Sequence, residues 1–553
     1  MTRTILINCP PWGIVMPPLG VAYLSSYLKS KGHGVDVYDL NLELFQKAGL
    51  AQKEFWNLDT INKMPPVDIA RHLFYDFKEV IDRFIEKIEF FDVIGFSANN
   101  LISTTFAGLV SQCLKDKWPD KLIICGGPGC FYSWDRKVIS KDAVDFFVIG
   151  EGEIALEQLL NWEKQDKSLK DKEIQIPGLI GNRTTECIKY SPAQYVENLD
   201  DLPFPTFEEF CLDQYNQGKT YRPLPLLSSR GCINRCSYCI DWYMCYPYRR
   251  RTAGNVVREI KHHVDKYGIT HVEFNDLLCN GNLRALEELC GRLIDADLNV
   301  NWISYAAIVR GMGEELFEKI KKSGCHALCY GIESGSDRIL KKMGKHYTRC
   351  DARELLVRTY EAGIEASINI IVGFPGETEA DFKETLDFIC ENRRFIKQVT
   401  NVSAFVLMPG SDLAIYPHRF GIEYFAPDAP GEWTDENGLT AQTRNERVEK
   451  TRICLRQLNI PNLIINYQEN DSKEKIITGN PQHKNQRTGI NKPTSRAEGI
   501  NILGSDKKNR KFRRHQKLNK ILTLSFLLLF AVVADLYLLL IKKIRGSVIF
   551  PGS

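Results

Sequence analysis

The sequence predicts an α/β protein built from two successive parallel sheets, the first doubly wound and the second a partial or full α/β barrel, with one apolar helix near the C-terminus. Three observations predict it. Short apolar runs that end in glycines alternate with segments of helical periodicity over about 1–165. A second alternating region with six such units spans 221–425, and a run of 21 mostly apolar residues covers 521–541.

TILIN (4–8) reads as a buried strand. The segment from Pro18 to Lys31 has apolar residues at helical spacing, Gly32 and Gly34 stop it, and VDVYDL (35–40) alternates as a second strand. VIGFSA (93–98), LIICGG (122–127) and FFVIGEGE (146–153) are strands ending in glycine-rich loops, with a helix such as Thr104–Lys115 between them. Ligands of such sheets bind at the strand carboxyl ends, where these loops lie. Residues 166–220 read as a linker, polar and irregular at first, with LDDLPFPTF (199–207) as a stiff connector. The predicted barrel strands are LLSSR (226–230), HVEFND (271–276), NWISYAA (301–307), CHALCYGIES (325–334), EASINIIVGF (365–374) and NVSAFVLMPG (401–410). A barrel active site lies at the strand carboxyl ends. Residues 426–470 form a C-terminal segment without a motif, and 471–520 a basic stretch expected to be disordered.

The chain has 553 residues, 44% hydrophobic and 25% charged, so a wholly disordered or collagen-like chain is excluded. A formal charge of +3 argues against a surface basic throughout, and no nucleic-acid partner is expected. Residues 471–520 hold 14 Lys/Arg against 4 Asp/Glu, and 521–553 three against one. The whole-chain +3 therefore leaves −9 on the first 470 residues. The start, MTRTILINCPPWG, has no secretory h-region, so the 17 cysteines are expected in a reducing cytosol. Residues 521–541 match the span of a bilayer core, with Asp535 as their one charge; a buried or oligomerising soluble helix is the other reading. Eight Lys/Arg in 506–520, against three after the helix, place the N-terminal side in the cytoplasm. The expected layout is a cytoplasmic body anchored by 521–541, which points to a lipid-like or other membrane-associated substrate.

The sharpest chemical signal is SSRGCINRCSYCIDWYMC. Cys232, Cys236 and Cys239 are spaced C-x3-C-x2-C directly after a predicted strand. Thiolates select iron–sulfur clusters or zinc. Three on one loop can hold three irons of a [4Fe–4S] cube and leave the fourth iron open. Cys245 is available as a fourth ligand for zinc, although zinc ligands usually come as two separated pairs.

The loop, with Tyr238 before its third cysteine, resembles the signature of the radical S-adenosylmethionine (SAM) superfamily. FND (274–276), GIESGS (331–336) and GFPGET (373–378) match in order behind it. The resemblance implies a [4Fe–4S] cluster on Cys232, Cys236 and Cys239 whose open iron chelates SAM, and one-electron cleavage of SAM to a 5′-deoxyadenosyl radical. It implies SAM-binding roles for Tyr238, Asp276, Glu333, Ser334, Gly373, Pro375 and Gly376, a basic residue among Arg249–Arg251 near the SAM carboxylate, and an electron donor such as flavodoxin or ferredoxin. Asp276 and Glu333 are also readable as capping or solvated carboxylates.

The N-terminal region resembles the cobalamin-binding domain fused to one branch of this superfamily, through residues 8–39, GFSA (95–98), GGPG (126–129) and DFFVIGEGEIAL (145–156). That places Pro10, Pro11, Ser97, Gly126, Gly127, Gly150, Glu151 and Gly152 at cobalamin. No Asp-x-His-x-x-Gly sequence occurs, and His33 reads as a turn residue, so no histidine is evident as lower cobalt ligand. The resemblance implies methylation of an unactivated carbon. Ring formation or rearrangement on the same architecture is the alternative, and a non-catalytic cofactor-binding protein stays open. A methylthiotransferase would need three further cluster cysteines and a small β-rich domain after 425. Tyr305, Tyr330 and Trp302 lie on predicted strands, as cavity lining or as core.

Overall fold

A computed structural model describes residues 2–57, 64–165, 176–182, 193–215, 223–426 and 429–462. They belong to one unit, Met1–Ile476. The basic stretch 471–520 and the apolar run 521–541 lie outside the described residues. Among those described, no helix is long and apolar enough to cross a membrane.

The first sheet contains β1 (Arg3–Asn8), β2 (Gly34–Asp39), β3 (Val93–Ser97), β4 (Leu122–Gly126), β5 (Phe146–Val148) and β6 (Leu179–Gly181). Its order is 2-1-3-4-5-6, parallel except for the β5–β6 pair. All but the first residue of β1 and the first four residues of β3 are buried, because helices cover both faces. Helix α1 (Leu19–Ser30) follows β1 and ends at Gly32, whose φ of +80° favours glycine. Helix α2 (Leu101–Lys117) starts where the Asn100 side chain accepts the Ser103 N–H, and α3 (Gly152–Gln165) starts at the loop after β5.

The second sheet runs in sequence order through β7 (Pro223–Leu226), β10 (His271–Phe274), β11 (Asn301–Ala306), β12 (Cys325–Glu333), β13 (Glu365–Val372) and β14 (Gln398–Ala404), all parallel. Helices α4 (Ala253–Tyr267), α5 (Leu283–Ala296), α6 (Glu314–Lys322), α7 (Arg349–Glu361) and α8 (Glu379–Glu391) form its outer layer. β7 and β14 are not paired, so this is an open six-stranded barrel. Two short strands, β8 (Ser229–Arg230) and β9 (Arg249–Arg250), pair antiparallel and close the loop that carries the cysteines.

The structure corrects several sequence boundaries. The first barrel strand is PLPL at 223–226, and LLSSR contributes only its first residue to it. The sixth strand begins at Gln398 and ends at Ala404, short of the predicted 410. The predicted linker supplies β6 to the first sheet. The linker also buries Leu199, Leu202, Phe207 and Phe210 in an apolar core shared by α1, α3 and the barrel helices. The C-terminal segment is an antiparallel pair, β15 (Ile422–Ala426) and β16 (Ala429–Asp435), followed by helix α9 (Ala441–Gln457).

Candidate functional site

The cysteine loop, 231–248, leaves the barrel after β8. Gly231 has φ of +87°, and a Cβ there would stand 2.7 Å from the Cys245 carbonyl oxygen, so the loop's tight closure requires glycine. Within it Cys236 is buried and Cys232 and Cys239 are half-buried. The Asn234 N–H donates to Cys232 Sγ at 3.4 Å, and the Cys239 N–H to the Cys236 carbonyl at 3.1 Å. Barrel residues pin the loop: the Ser237 N–H donates to the Met343 carbonyl at 3.0 Å, and Ser237 Oγ to the Lys342 carbonyl at 3.1 Å.

Burial pushes the Cys232 thiol up and the Cys239 thiol up to about 12. Soft metal ions displace such protons, because ligation stabilises the thiolate that burial disfavours. Among the described residues, no group of three or more His, Cys, Asp or Glu side chains converges to hold one metal ion. A [4Fe–4S] cube makes a different demand, one sulfur for each of three irons, and three cysteines on one loop fit it. Cys245, the possible fourth zinc ligand, lines a separate cavity described below.

Beyond the loop lies the end of β12. Glu333 has φ of +65° and faces Lys345, with Nζ 3.5 Å from Oε1. Lys345 also sits 5.7 Å from the Tyr238 ring centroid and 5.9 Å from that of Tyr347. Burial alone would lower the Lys345 ammonium; Tyr347, Tyr238 and Glu333 around it outweigh this and raise it. It is a fixed cation beside the cysteine loop. The sequence reading missed it because KKMGKH offers three lysines with nothing to single one out.

Two of the three arginines proposed for the SAM carboxylate are engaged elsewhere. Arg249 pairs with Glu151 and donates to the Val196 carbonyl at 2.6 Å. Arg251 is buried against Glu259 and Asn255, and Arg250 is exposed.

Two further SAM assignments are corrected. Asp276 is 1% exposed, and its carboxylate accepts four hydrogen bonds, from the N–H and hydroxyl groups of Ser228 and Ser229. It fixes the strand that leads into the cysteine loop and has no acceptor position left for a ribose. Ser334 points away, its Oγ 3.2 Å from Thr385 Oγ1 on α8.

In the GFPGET loop, a Cβ on Gly373 (φ +76°) would stand 2.3 Å from Arg444 Cγ, so the glycine makes room for α9. Its N–H donates to Glu377 Oε2 at 2.6 Å, and the Gly376 N–H donates to Asp435 Oδ2 at 2.7 Å. Pro375 is buried between them. The C-terminal segment thus braces this loop: Arg447 Nη1 holds Glu377 at 2.7 Å, and Arg444 stacks 3.7 Å from the Trp433 ring centroid.

A cavity of about 440 Å³ lies between the carboxyl ends of the first sheet and the cysteine loop. Of the residues that the resemblance places at cobalamin, Ser97, Gly126, Gly127, Gly150, Glu151 and Gly152 line it. Pro10 and Pro11 do not: both are buried, and the Pro11 carbonyl accepts from Asn100 Nδ2 at 3.3 Å. The sequence reading missed the contribution of α1, where Gly20 lines the cavity and a Cβ would meet no atom within 4 Å. The barrel supplies Arg230, Gly231, Met244, Cys245, Asn275 and Leu277. No histidine is among the lining residues. Arg230 ties the two halves together, with Nη2 2.6 Å from Glu153 and Nη1 3.0 Å from Glu151. Cys9, Cys125 and Cys130 are fully buried in the apolar core of the first sheet, with Cys125 and Cys130 Sγ atoms 3.3 Å apart.

A doubly wound sheet facing an open parallel barrel, with three cysteines on the barrel's first loop, is the arrangement that the sequence resemblance implies. Residues 226–389 match the Radical SAM superfamily, and residues 12–160 match the B12 binding domain. The chain thus carries a radical SAM domain behind an N-terminal B12-binding domain. It is 25% identical over 378 residues to an uncharacterized methyltransferase of Pyrococcus horikoshii, covering 68% of this chain and 73% of that one. It is 33% identical over 199 residues to a tRNA-2-methylthio-N(6)-dimethylallyladenosine synthase of Moorella thermoacetica, 34% of this chain and less than half of the relative's length, 44%. In fold it is similar to the radical SAM methyltransferase TsrM of Kitasatospora setae, solved with cobalamin and a [4Fe–4S] cluster bound. The TM-score is 0.59 at 17% identity, over 83% of this chain and 89% of that one.

Proposed function

We propose that the chain is a cobalamin-dependent radical SAM methyltransferase that methylates an unactivated carbon. The observation that carries the reading is a cavity bounded by the glycine loops of the B12-binding domain on one side and by Gly231, Met244 and Cys245 of the cysteine loop on the other. Cys232, Cys236 and Cys239 hold a [4Fe–4S] cluster. Lys345 and Glu333 flank SAM with a cation and an anion suited to its carboxylate and ammonium groups, and Tyr238 and the braced Gly373–Gly376 turn bound its site. Gly20, Ser97, Gly126, Gly127, Gly150 and Gly152 keep side chains small where the corrin sits. When bound, the cluster supplies one-electron cleavage of SAM, and cobalamin supplies a carrier for the methyl group. A small electron carrier such as flavodoxin or ferredoxin provides the reducing electron.

Ring formation or rearrangement uses the same cofactor residues, and product analysis separates it: methylation yields S-adenosylhomocysteine together with 5′-deoxyadenosine. Methylthio transfer has weaker support, because Cys9, Cys125 and Cys130 are sealed in apolar core. A membrane-associated substrate rests only on residues 506–541, outside the described residues, and no group described at the site supports it. The test is anaerobic purification with cobalamin supplied, followed by iron, cobalt and product assays. Four irons and one cobalt per chain, with both SAM products formed in the presence of substrate, is the expected outcome. A Cys232→Ala variant that retains its full cluster would overturn the assignment.

A further inference from the structure

Along the barrel strands, exposure alternates. The even-numbered residues of β10 and β11, among them Val272, Phe274 and Trp302, are buried against the helices. Their odd-numbered partners face the lumen and are only partly covered. A parallel barrel normally fills its interior with branched apolar side chains. This one presents Glu273, Tyr305, Cys329, Asn369 and Thr400. Register places Glu273 beside Ile303 and Tyr305 beside Cys329. Cys329 Sγ lies 3.6 Å from Thr400 Oγ1 and 4.0 Å from Asn369 Oδ1. Tyr305 is 42% exposed, whereas Tyr330 and Trp302 are core at 0% and 3%. Asn275 and Leu277, just past the end of β10, line the cavity between the two sheets.

The charge in this lumen is unbalanced. Among the described residues no Lys, Arg or His lies within ion-pair distance of Glu273, whereas the second lumen carboxylate, Glu333, faces Lys345. Burial raises the Glu273 carboxyl, with no neighbouring cation to offset it. Burial also pushes Tyr305 up to about 12 and Cys329 up to about 11, so both stay uncharged at neutral pH. A half-buried carboxylate without a partner is costly, and a ligand cation relieves that cost.

We infer that the substrate carries a cationic nitrogen, a protonated amine or a guanidine, which docks in the barrel lumen against Glu273 with Tyr305, Asn369 and Thr400 as hydrogen-bonding neighbours. The inference rests on the methyltransferase reading above and adds the substrate class to it.

The test uses the full chain, reconstituted anaerobically with cluster and cobalamin and supplied with methyl-tritiated SAM. A small-molecule extract of the native host is split on a strong cation exchanger at pH 7. Label is expected to pass into a compound of the retained fraction. Glu273→Gln should lower kcat/KM for that compound about 10- to 100-fold, mainly through KM, and Glu273→Asp should restore part of the loss. Cluster iron, assayed on each variant, separates lost folding from lost recognition. Label arising only from the unretained fraction, or a Gln variant with unchanged kcat/KM, would each overturn the inference, whereas SAM cleavage without labelling by either fraction defeats the methyltransferase reading. A chain that binds no corrin, or that cleaves no SAM, fails at the earlier reading instead.

Discussion

Replacing Arg230 by Met removes the cation that joins the two halves of the site while keeping most of the aliphatic stem. Arg230, Glu151 and Glu153 are 13%, 15% and 5% exposed, so the group is largely out of water. Glu151 keeps Arg249, which leaves Glu153 as the carboxylate without a partner. Losing one partner of a buried pair costs about 3–5 kcal/mol. For a domain of 150–250 residues, about 2–4 °C per kcal/mol makes that a fall of about 6–20 °C in Tm. Differential scanning calorimetry of the full chain at pH 7.5 measures it. The double variant with Glu153→Gln should recover a large part of the loss, because no buried charge is then left unpaired.

The pH dependence has a definite sign. Burial alone would raise the Glu153 carboxyl, and Arg230 outweighs it, holding the carboxyl below the ordinary range. The pair therefore stabilises fully above the ordinary carboxyl pKa, and that contribution is lost as pH falls through the folded-state value. In the Met variant the carboxyl stays buried without its ion-pair partner, so the deficit should shrink between pH 7.5 and 5. A Met variant that melts within about 2 °C of the parent at pH 7.5 would refute the reasoning, as would a double variant no more stable than the single.

Alanine at Cys232, Cys236 or Cys239 should each strip cluster iron, whereas Cys245→Ala should retain it, as measured by iron content and visible absorbance. Gly20→Leu should sharply reduce corrin binding, read by the absorbance of bound cobalamin after desalting. It should leave Tm unchanged or slightly higher, because glycine costs up to about 1 kcal/mol in a helix. Burial lifts Asp276 to about 6, so its contribution to stability is fullest below the ordinary carboxyl range and is lost as pH rises through about 6. Asp276→Asn should flatten that part of a Tm–pH curve between pH 4 and 7, and should speed amide exchange at Ser228 and Ser229.

What was legible in the sequence was local. Three cysteines within eight residues, and glycines at the ends of strands β4 and β5, keep their meaning without knowledge of what packs against them. The rest depends on residues distant in sequence. Lys345 becomes distinctive only beside Tyr238 and Glu333. Asp276, expected to end a strand, lies two residues past it, and its role is decided by Ser228 and Ser229, 48 and 47 positions away. The glycine at 373 reads as a turn until Arg444, on a helix with no sequence motif, is seen against it. PLPL reads poorly as a strand because proline lacks a ladder donor. It is tolerated because β7 is an edge of the open barrel. Strand β6, three residues long, carries too little pattern to be called.

The other edge of the barrel has a practical consequence. At β14 the Val399 N–H donates to the Pro461 carbonyl at 2.9 Å, and Val399 forms a parallel bridge with Asn462. An unprotected strand edge is a template on which copies of a protein add to one another. Shortened versions that stop after α9 but before Pro461 would bare that edge beside an intact site, and are expected to self-associate in proportion to concentration. Versions that keep Asn462 retain the cover, so the two residues at 461 and 462 separate a tractable fragment from a precipitating one.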